Sequence, residues 1–328
     1  MVKYIVKRVL YSIAILLLVS MILYCLMRLL PTDYLDNKFA DKLQHGDITY
    51  EQLYELKASY GLTSSIPVGY WKWLTSALSG DLGISFKYED PVTKVIFDHM
   101  WISFGVAIVA YIFQFLIAIP LGIKAATKQY GAVDYTTSVF AMIGISLPSF
   151  FLSYLLLYIF ATQLGWFPTG GMFDATIDWT GNGFGKFMNE IYHMILPMIA
   201  IIIGSIGGLM RHTRTNTLEV LNQDYIRTAR AKGLSEHKVV YKHVFRNTMV
   251  PIVTMTAGII PSLFGGMLIL EQVFRIDGIG NVVYEALGAG DIPLIMGYNM
   301  FIAILTVLGT LLSDIAYMLV DPRIKISK

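Results

Sequence analysis

The sequence predicts an all-α integral membrane protein that crosses the bilayer as six helices, with a small external helical cap after the first. Three observations predict it. Of the 328 residues, 55% are hydrophobic and 15% charged, whereas soluble domains carry about 25% charged residues. Six apolar segments can each span a hydrocarbon core of about 30 Å, which takes roughly 20 helical residues. Lys and Arg are rich in alternate loops and sparse in the others, as the positive-inside rule expects of a multi-pass chain. The net charge of +2 lies in blocks and gives no sign of a nucleic-acid partner. The single cysteine, Cys25, sits inside the first apolar run with neither a disulfide partner nor ligand neighbours, and reads as a small packing residue.

The first span lies near 9–30. Lys3, Lys7 and Arg8 precede the apolar run Val9 to Leu26, and Arg28-Leu29-Leu30-Pro31 follows where a signal peptide would show a small-residue cleavage site. A retained helix is expected. Residues 1–30 thus form an N-terminal division, 31–100 an external cap segment, and 101–328 a five-helix core that includes a cytoplasmic loop, 211–247.

The cap segment is too long for a bare connection. Thr49-Tyr50-Glu51-Gln52 reads as a capping box opening a helix that closes at Gly61. Asp90-Pro91 reads as an N-cap followed by proline at the first helical position, feeding the second span. Tyr70, Trp71 and Trp73 between them read as an interfacial aromatic anchor. The remaining spans lie near 101–123, 136–163, 192–210, 248–270 and 294–319. Pro120, Pro148, Pro197 and Pro261 fall inside spans, where neighbouring helices and water can satisfy the freed backbone groups.

Orientation follows from the loops. One side receives Lys3, Lys7 and Arg8, then Lys124 and Lys128, then the cluster Arg211, Arg214, Arg227, Arg230, Lys232, Lys238, Lys242 and Arg246, and finally Arg323, Lys325 and Lys328. The other receives Lys186, Arg275 and the cap segment, where ten acids outnumber six lysines. Both termini are expected on the cytoplasmic side.

The cytoplasmic loop carries the most information. DYIRTARAKG (Asp224 to Gly233) is a run of helix formers ending in Lys232, with Gly233 placed for the left-handed conformation beyond a helix end. LSEHKVVYKHVFRN (Leu234 to Asn247) restarts with Ser235 as N-cap, Glu236 in the first turn, and Leu234 and Val239 at hydrophobic-staple positions. Helix, sharp glycine turn, helix makes a rigid knob wired into the next span. Positive charge alone would only fix topology, but caps on both sides of the turn argue for docking on a partner.

These residues resemble the "EAA" loop of binding-protein-dependent ABC importer permeases, with Ala229 and Gly233 at its second Ala and its Gly. Arg227 and Thr228 replace the Glu and first Ala. The fuller form, with HVFRN and Pro251 after it, is similar to the peptide-transport branch of that family, as its first (B-type) permease. The likeness continues in RLLP (Arg28 to Pro31), GDLGISF (Gly80 to Phe86), Pro91-Val92, SLPSFF (Ser146 to Phe151), LGWFPTGG (Leu164 to Gly171) and EQVFRIDGIGN (Glu271 to Asn281). A departure is Pro31-Thr32-Asp33-Tyr34, where the branch usually shows Pro-Gly-Asp-Pro.

The resemblance implies a type I importer permease fold in a bacterial cytoplasmic membrane. It implies pairing with a second, similar permease, two cytoplasmic ABC ATPases and an external substrate-binding protein. Asp224, Tyr225, Arg227, Thr228, Ala229, Arg230, Ala231, Lys232, Gly233, Leu234 and Ser235 would then form the helix that couples to an ATPase. ATP and Mg²⁺ are expected in those partners, and this chain is expected to be neither an enzyme nor a cofactor or metal carrier. It contains no G-x-x-x-x-G-K-[ST] to cradle phosphates.

Import of oligopeptides or dipeptides is the expected function, with nickel or metal-chelate import in the same family as the alternative. A secondary transporter is the more distant one, and would want inverted repeats and a midplane ion site, neither of which shows. No HExxH, CxxC or G-x-S-x-G occurs. Among isolated polar residues, His193 reads as a helix-end anchor, Glu271 and Asp314 as acids near span ends, and Gln114 as an interhelical hydrogen bond. The glycines of 204–208 and Gly265-Gly266 are expected to allow close helix approach or bending. The substrate pathway is not marked in the sequence.

Overall fold

The computed structural model describes residues 2–29, 34–59, 63–255 and 258–320, and its regular structure is helical apart from one isolated bridge between Ile84 and Pro91. In chain order the helices are α1 (Val2–Arg28), α2 (Tyr34–Gln44), α3 (Tyr50–Ser59), α4 (Ile66–Leu78), α5 (Val92–Thr127), α6 (Ala132–Ser146), α7 (Ser149–Leu156) and α8 (Gly183–Leu221). There follow α9 (Asp224–Ala231), α10 (Glu236–Lys238), α11 (Phe245–Met255), α12 (Ile259–Phe264), α13 (Leu268–Phe274), α14 (Ile279–Ala289) and α15 (Ile292–Val320). Wider π-helical turns continue α7 over Leu157–Gln163 and precede α11 over Val239–Val244. The predicted turn at Pro31-Thr32-Asp33, the helix end at Gly61 and the cations Arg323, Lys325 and Lys328 lie outside the described residues.

Among the described residues, four helices are long and apolar enough to cross a membrane: Lys7–Arg28, Val92–Thr127, Gly183–Leu221 and Ile292–Ile315. Two bent pairs, Ala132–Ser146 with Ser149–Gln163 and Ile259–Phe274 with Ile279–Ala289, bring the spans to six if each pair counts as one. The third span is therefore not the continuous helix expected over 136–163. It bends by 103°, because Pro148 holds Leu147 extended (φ −82°, ψ 125°) and ends α6 there. The fifth is likewise interrupted between α12 and α13, with Gly266 at φ +70° in the break.

The chain divides into two compact units, one of residues 1–103, 264–268 and 278–308, the other of 104–263, 269–277 and 309–328. In the first, Val92, Val95, Ile96 and Met100 form one stripe of α5 and pack on Val282, Val283 and Ala286 of α14 and on Leu294 and Ile295 of α15. The capping box forms as predicted: the Thr49 amide donates to the Gln52 side-chain oxygen (2.9 Å) and the Gln52 amide to the Thr49 hydroxyl (3.2 Å).

The aromatic trio divides. Tyr70 and Trp73, three residues apart on α4, face α1 and cluster with Tyr24, and the Tyr70 hydroxyl reaches Ser20 Oγ (3.0 Å) and the Leu17 carbonyl (3.2 Å). Trp71 is on the other side of the helix and stays exposed. At the start of α5 it is the Pro91 carbonyl that accepts the first helical bond, from Val95 (3.1 Å), while Asp90 spends its carboxylate on Lys94 (2.9 Å). The backbone bond from Val92 to Gly83 (2.9 Å) sets the helix start one residue later than the N-cap reading had it.

A contact with no local sequence signal fastens this unit. Asp291, fully buried, caps α15 by accepting the Leu294 amide (3.2 Å), and accepts the Ser85 hydroxyl (2.5 Å) and Lys87 amide (3.0 Å) from the loop that follows Gly80.

In the second unit α6 and α8 pack antiparallel at backbone contact. A Cβ on Gly144 would lie 2.5 Å from the Ile203 carbonyl oxygen, and one on Gly207 would strike the Ala141 carbonyl. Gly204 and Gly208, expected to serve the same purpose, have open space where a Cβ would stand and do not. Gln114 of α5 donates to the Ser205 carbonyl (3.0 Å), as expected of it. His193 does not stand at a helix end as expected: α8 begins at Gly183, and the buried ring lies within the helix with Nδ1 2.9 Å from the Asn189 carbonyl one turn back. Glu271 is buried and Asp314 half-buried, each with partners.

Two outcomes check these contacts. Gly207→Leu should overpack the α6–α8 contact and cost about 1–3 kcal/mol, lowering the melting temperature in detergent, while Gly208→Ala should leave it unchanged. Asp291→Ala, which strands a buried hydroxyl and two amides, should cost about 3 kcal/mol; a melting temperature equal to the native one would contradict the fastening role.

Candidate coupling site

The loop after α8 folds into the elbow the sequence describes. α9 ends at Ala231, Lys232 closes it, and Gly233 takes φ +75°. The Leu234 amide bonds back to the Ala229 carbonyl (3.4 Å) and the Gly233 amide to that of Arg230 (2.9 Å). Those two bonds, six-to-one and five-to-two, are a Schellman turn, which needs the left-handed residue between helix and exit. Ser235 then begins the next helix with extended backbone (ψ 146°), its carbonyl accepting the Val239 amide (2.9 Å). Its hydroxyl makes no cap bond, so the N-cap is one of backbone only.

The elbow has its own small core. Ile226 and Ala229 of α9 meet Val239 and Val244 of the returning π-helical turns, with Val220, Leu221 and Leu234 packed around them. Leu234 and Val239 thus share a cluster, as a staple requires. Burial is worth about 1.5–3 kcal/mol for each large side chain, enough to make the turn one body. Arg230 grips Glu236 across the turn with two bonds (2.8 and 3.2 Å); both are exposed, so the pair orients more than it stabilises.

This core divides the candidate residues by face. Asp224, Tyr225, Arg227, Thr228, Lys232, Gly233 and Ser235 are exposed; Ala229 is buried and Leu234 half-buried. Arg227 is 3.6 Å from Asp224 one turn away, and the Thr228 hydroxyl donates to the Asp224 carbonyl (3.0 Å). The exposed residues, with Ala231 among them, make one outward face, while Ala229, Leu234 and Ile226 shape it from beneath.

α8 carries the elbow directly, since only Asn222 and Gln223 separate it from α9. Sequence reading missed what steadies this end. Asp134 at the start of α6, buried, binds Arg214 of α8 through two bonds (2.6 and 2.8 Å) and accepts the Tyr130 amide (2.9 Å). Paired bonds from a guanidinium fork fix orientation as well as separation. Gly122 of α5 lies against Thr213 on the same stretch, where a Cβ would come within 2.7 Å. Arg214 was visible only as one cation of a basic cluster, and nothing local pointed to a partner 80 positions away. Among the described residues no three His, Cys, Asp or Glu side chains are grouped to hold a metal ion.

Residues 118–326 match the family described as the binding-protein-dependent transport system inner membrane component, and residues 1–107 match the N-terminal region of such membrane components. The chain is 37% identical over 326 residues to the oligopeptide transport system permease protein AppB of Bacillus subtilis (strain 168), a match that covers 99% of this chain and 100% of that one. It is 32% identical over 329 residues to the dipeptide transport system permease protein DppB of the same strain, with 100% and 99% covered. A chain of the MetNI methionine ABC transporter, solved in inward-facing conformations, is similar in fold at a TM-score of 0.51 and 15% identity, over 70% of this chain and 97% of that one. Matched along almost its whole length, this multi-pass chain belongs to the inner membrane components of binding-protein-dependent transport systems.

Proposed function

We propose that the chain is the permease half of an ATP-driven importer for oligopeptides or dipeptides, and that the elbow at Gly233 is its contact with an ATPase. The observation that carries the coupling role is the elbow itself, a separately cored knob joined without slack to α8 on one side and α11 on the other. The peptide substrate rests on full-length likeness to an oligopeptide and a dipeptide permease. Both termini and the elbow lie on the cytoplasmic side in this reading, where the basic loops place them. The helices α2, α3 and α4 belong to an external cap.

The chain's own part in transport is mechanical. A partner that closes on the exposed face of α9 moves a rigid body, so its displacement passes into α8 and α11 rather than being absorbed in the loop. Two conformations of the pathway, formed with a second permease, then exchange under the control of two ATPases, which hold ATP and Mg²⁺. A substrate-loaded binding protein drives the cycle only if it favours one conformation over the other; the outward-open one is proposed.

Gly233→Leu places a side chain in the left-handed region at a cost of about 1–2 kcal/mol and should disturb the elbow. Peptide uptake should fall about tenfold, the change expected from about 1.4 kcal/mol, while the chain still inserts in the membrane. Gly233→Asn, which tolerates that conformation, should keep most of the uptake. Normal uptake by the leucine variant would refute the coupling role. In the same assay Arg227→Glu should weaken transport by reversing a charge on the docking face, and Ala231→Trp should block it by bulk.

A further inference from the structure

Beside the Asp134–Arg214 pair, α5, α6 and α8 enclose a cavity of about 290 Å³. Its polar end has Arg211 and Ser138, with Arg214 behind them, and its apolar side has Ala141, Met142, Ile145 and Met210. We propose that this groove binds one anionic phospholipid, with the phosphate at Arg211 and an acyl chain along Met142 and Ile145.

Charge is the first argument. Arg214 is already matched by Asp134, but Arg211 is exposed and makes no ion pair with any described residue. The Ser138 hydroxyl already donates to Asp134, so the groove mouth keeps one uncompensated guanidinium, a forked donor suited to a phosphodiester oxygen.

Depth is the second. Arg211 follows directly on the apolar run 192–210 of α8, at headgroup level. Because α6 runs antiparallel to α8, with 134 opposite 214 and 144 opposite 203, residues 138, 142 and 145 lead from that level into the hydrocarbon. Met142 and Ile145 are 68% and 51% exposed, so a chain lying on them would meet an open apolar track. The volume is near the lower end of small-molecule pockets and suits a headgroup with the first methylenes, the rest of the chain running along α6. Basic pockets between helices at this level are where anionic headgroups gather.

The test is native mass spectrometry of the intact importer in mild detergent, titrated with phosphatidylglycerol and separately with phosphatidylcholine. The native complex should retain one phosphatidylglycerol in preference to phosphatidylcholine. Arg211→Gln should weaken that retention roughly fivefold, the loss expected for one basic contact, and Arg211→Lys should restore most of it. Ala141→Leu, which fills the groove without changing charge, should also weaken it, and the intact complex mass confirms assembly of every variant. Equal retention of the two lipids, unchanged retention in Arg211→Gln, or displacement by inorganic phosphate would overturn the proposal. So would a photo-cross-linker at position 142 that captures the second permease in place of lipid.

Discussion

Backbone amides and carbonyls inside a bilayer have no water to bond, so a chain that crosses it must satisfy them within its own helices. That constraint sets a minimum length for α1, α5, α8 and α15 and accounts for the scarcity of irregular structure within them. Where the helix is broken, a cause stands at the break. Pro148 forces Leu147 out of helical conformation, and Gly266 supplies the left-handed turn between α12 and α13. Helix packing then relies on small residues rather than on a hydrophobic drive that lipid would supply equally well. Gly144 and Gly207 let α6 and α8 meet at their backbones.

Helix length connects this constraint to function. α8 has 39 residues, about 58 Å at 1.5 Å per residue and roughly twice the hydrocarbon thickness. Much of it must stand in water, and its end carries the elbow. Such an overhang transmits movement only if it is braced. Asp134 on Arg214 and Thr213 on Gly122 hold it to α6 and α5, and Ile226, Ala229, Val239 and Val244 make the elbow itself one body.

What the sequence revealed follows the range of the interactions. The capping box at Thr49 and Gln52, the Schellman turn at Gly233 and the staple of Leu234 and Val239 each involve residues close together in the chain, and each was legible. The Gln114 bond was legible in kind, because a lone amide inside an apolar helix seeks a partner, though Ser205 could not be named. Asp291 and Asp134 were passed over. Their partners Ser85 and Arg214 lie 206 and 80 positions away, and a single chain carries no local pattern that links such pairs. Pro148 was legible as a proline, but its effect was not: the same residue type inside α8, Pro197, leaves that helix continuous. The face of α9 was readable only in part, since Ala229 sits in the motif but points into the core.

Co-purification of the tagged chain in mild detergent, with mass spectrometry of what is retained, tests the coupling role most directly when the native elbow is compared with Gly233→Leu. A second permease and ATPases carrying phosphate-binding motifs should accompany the native chain in fixed proportion, and the ATPases should be lost from the leucine variant while the second permease stays. A chain that purifies alone, or a leucine variant that keeps its ATPases in full proportion, would contradict the elbow as the point of contact.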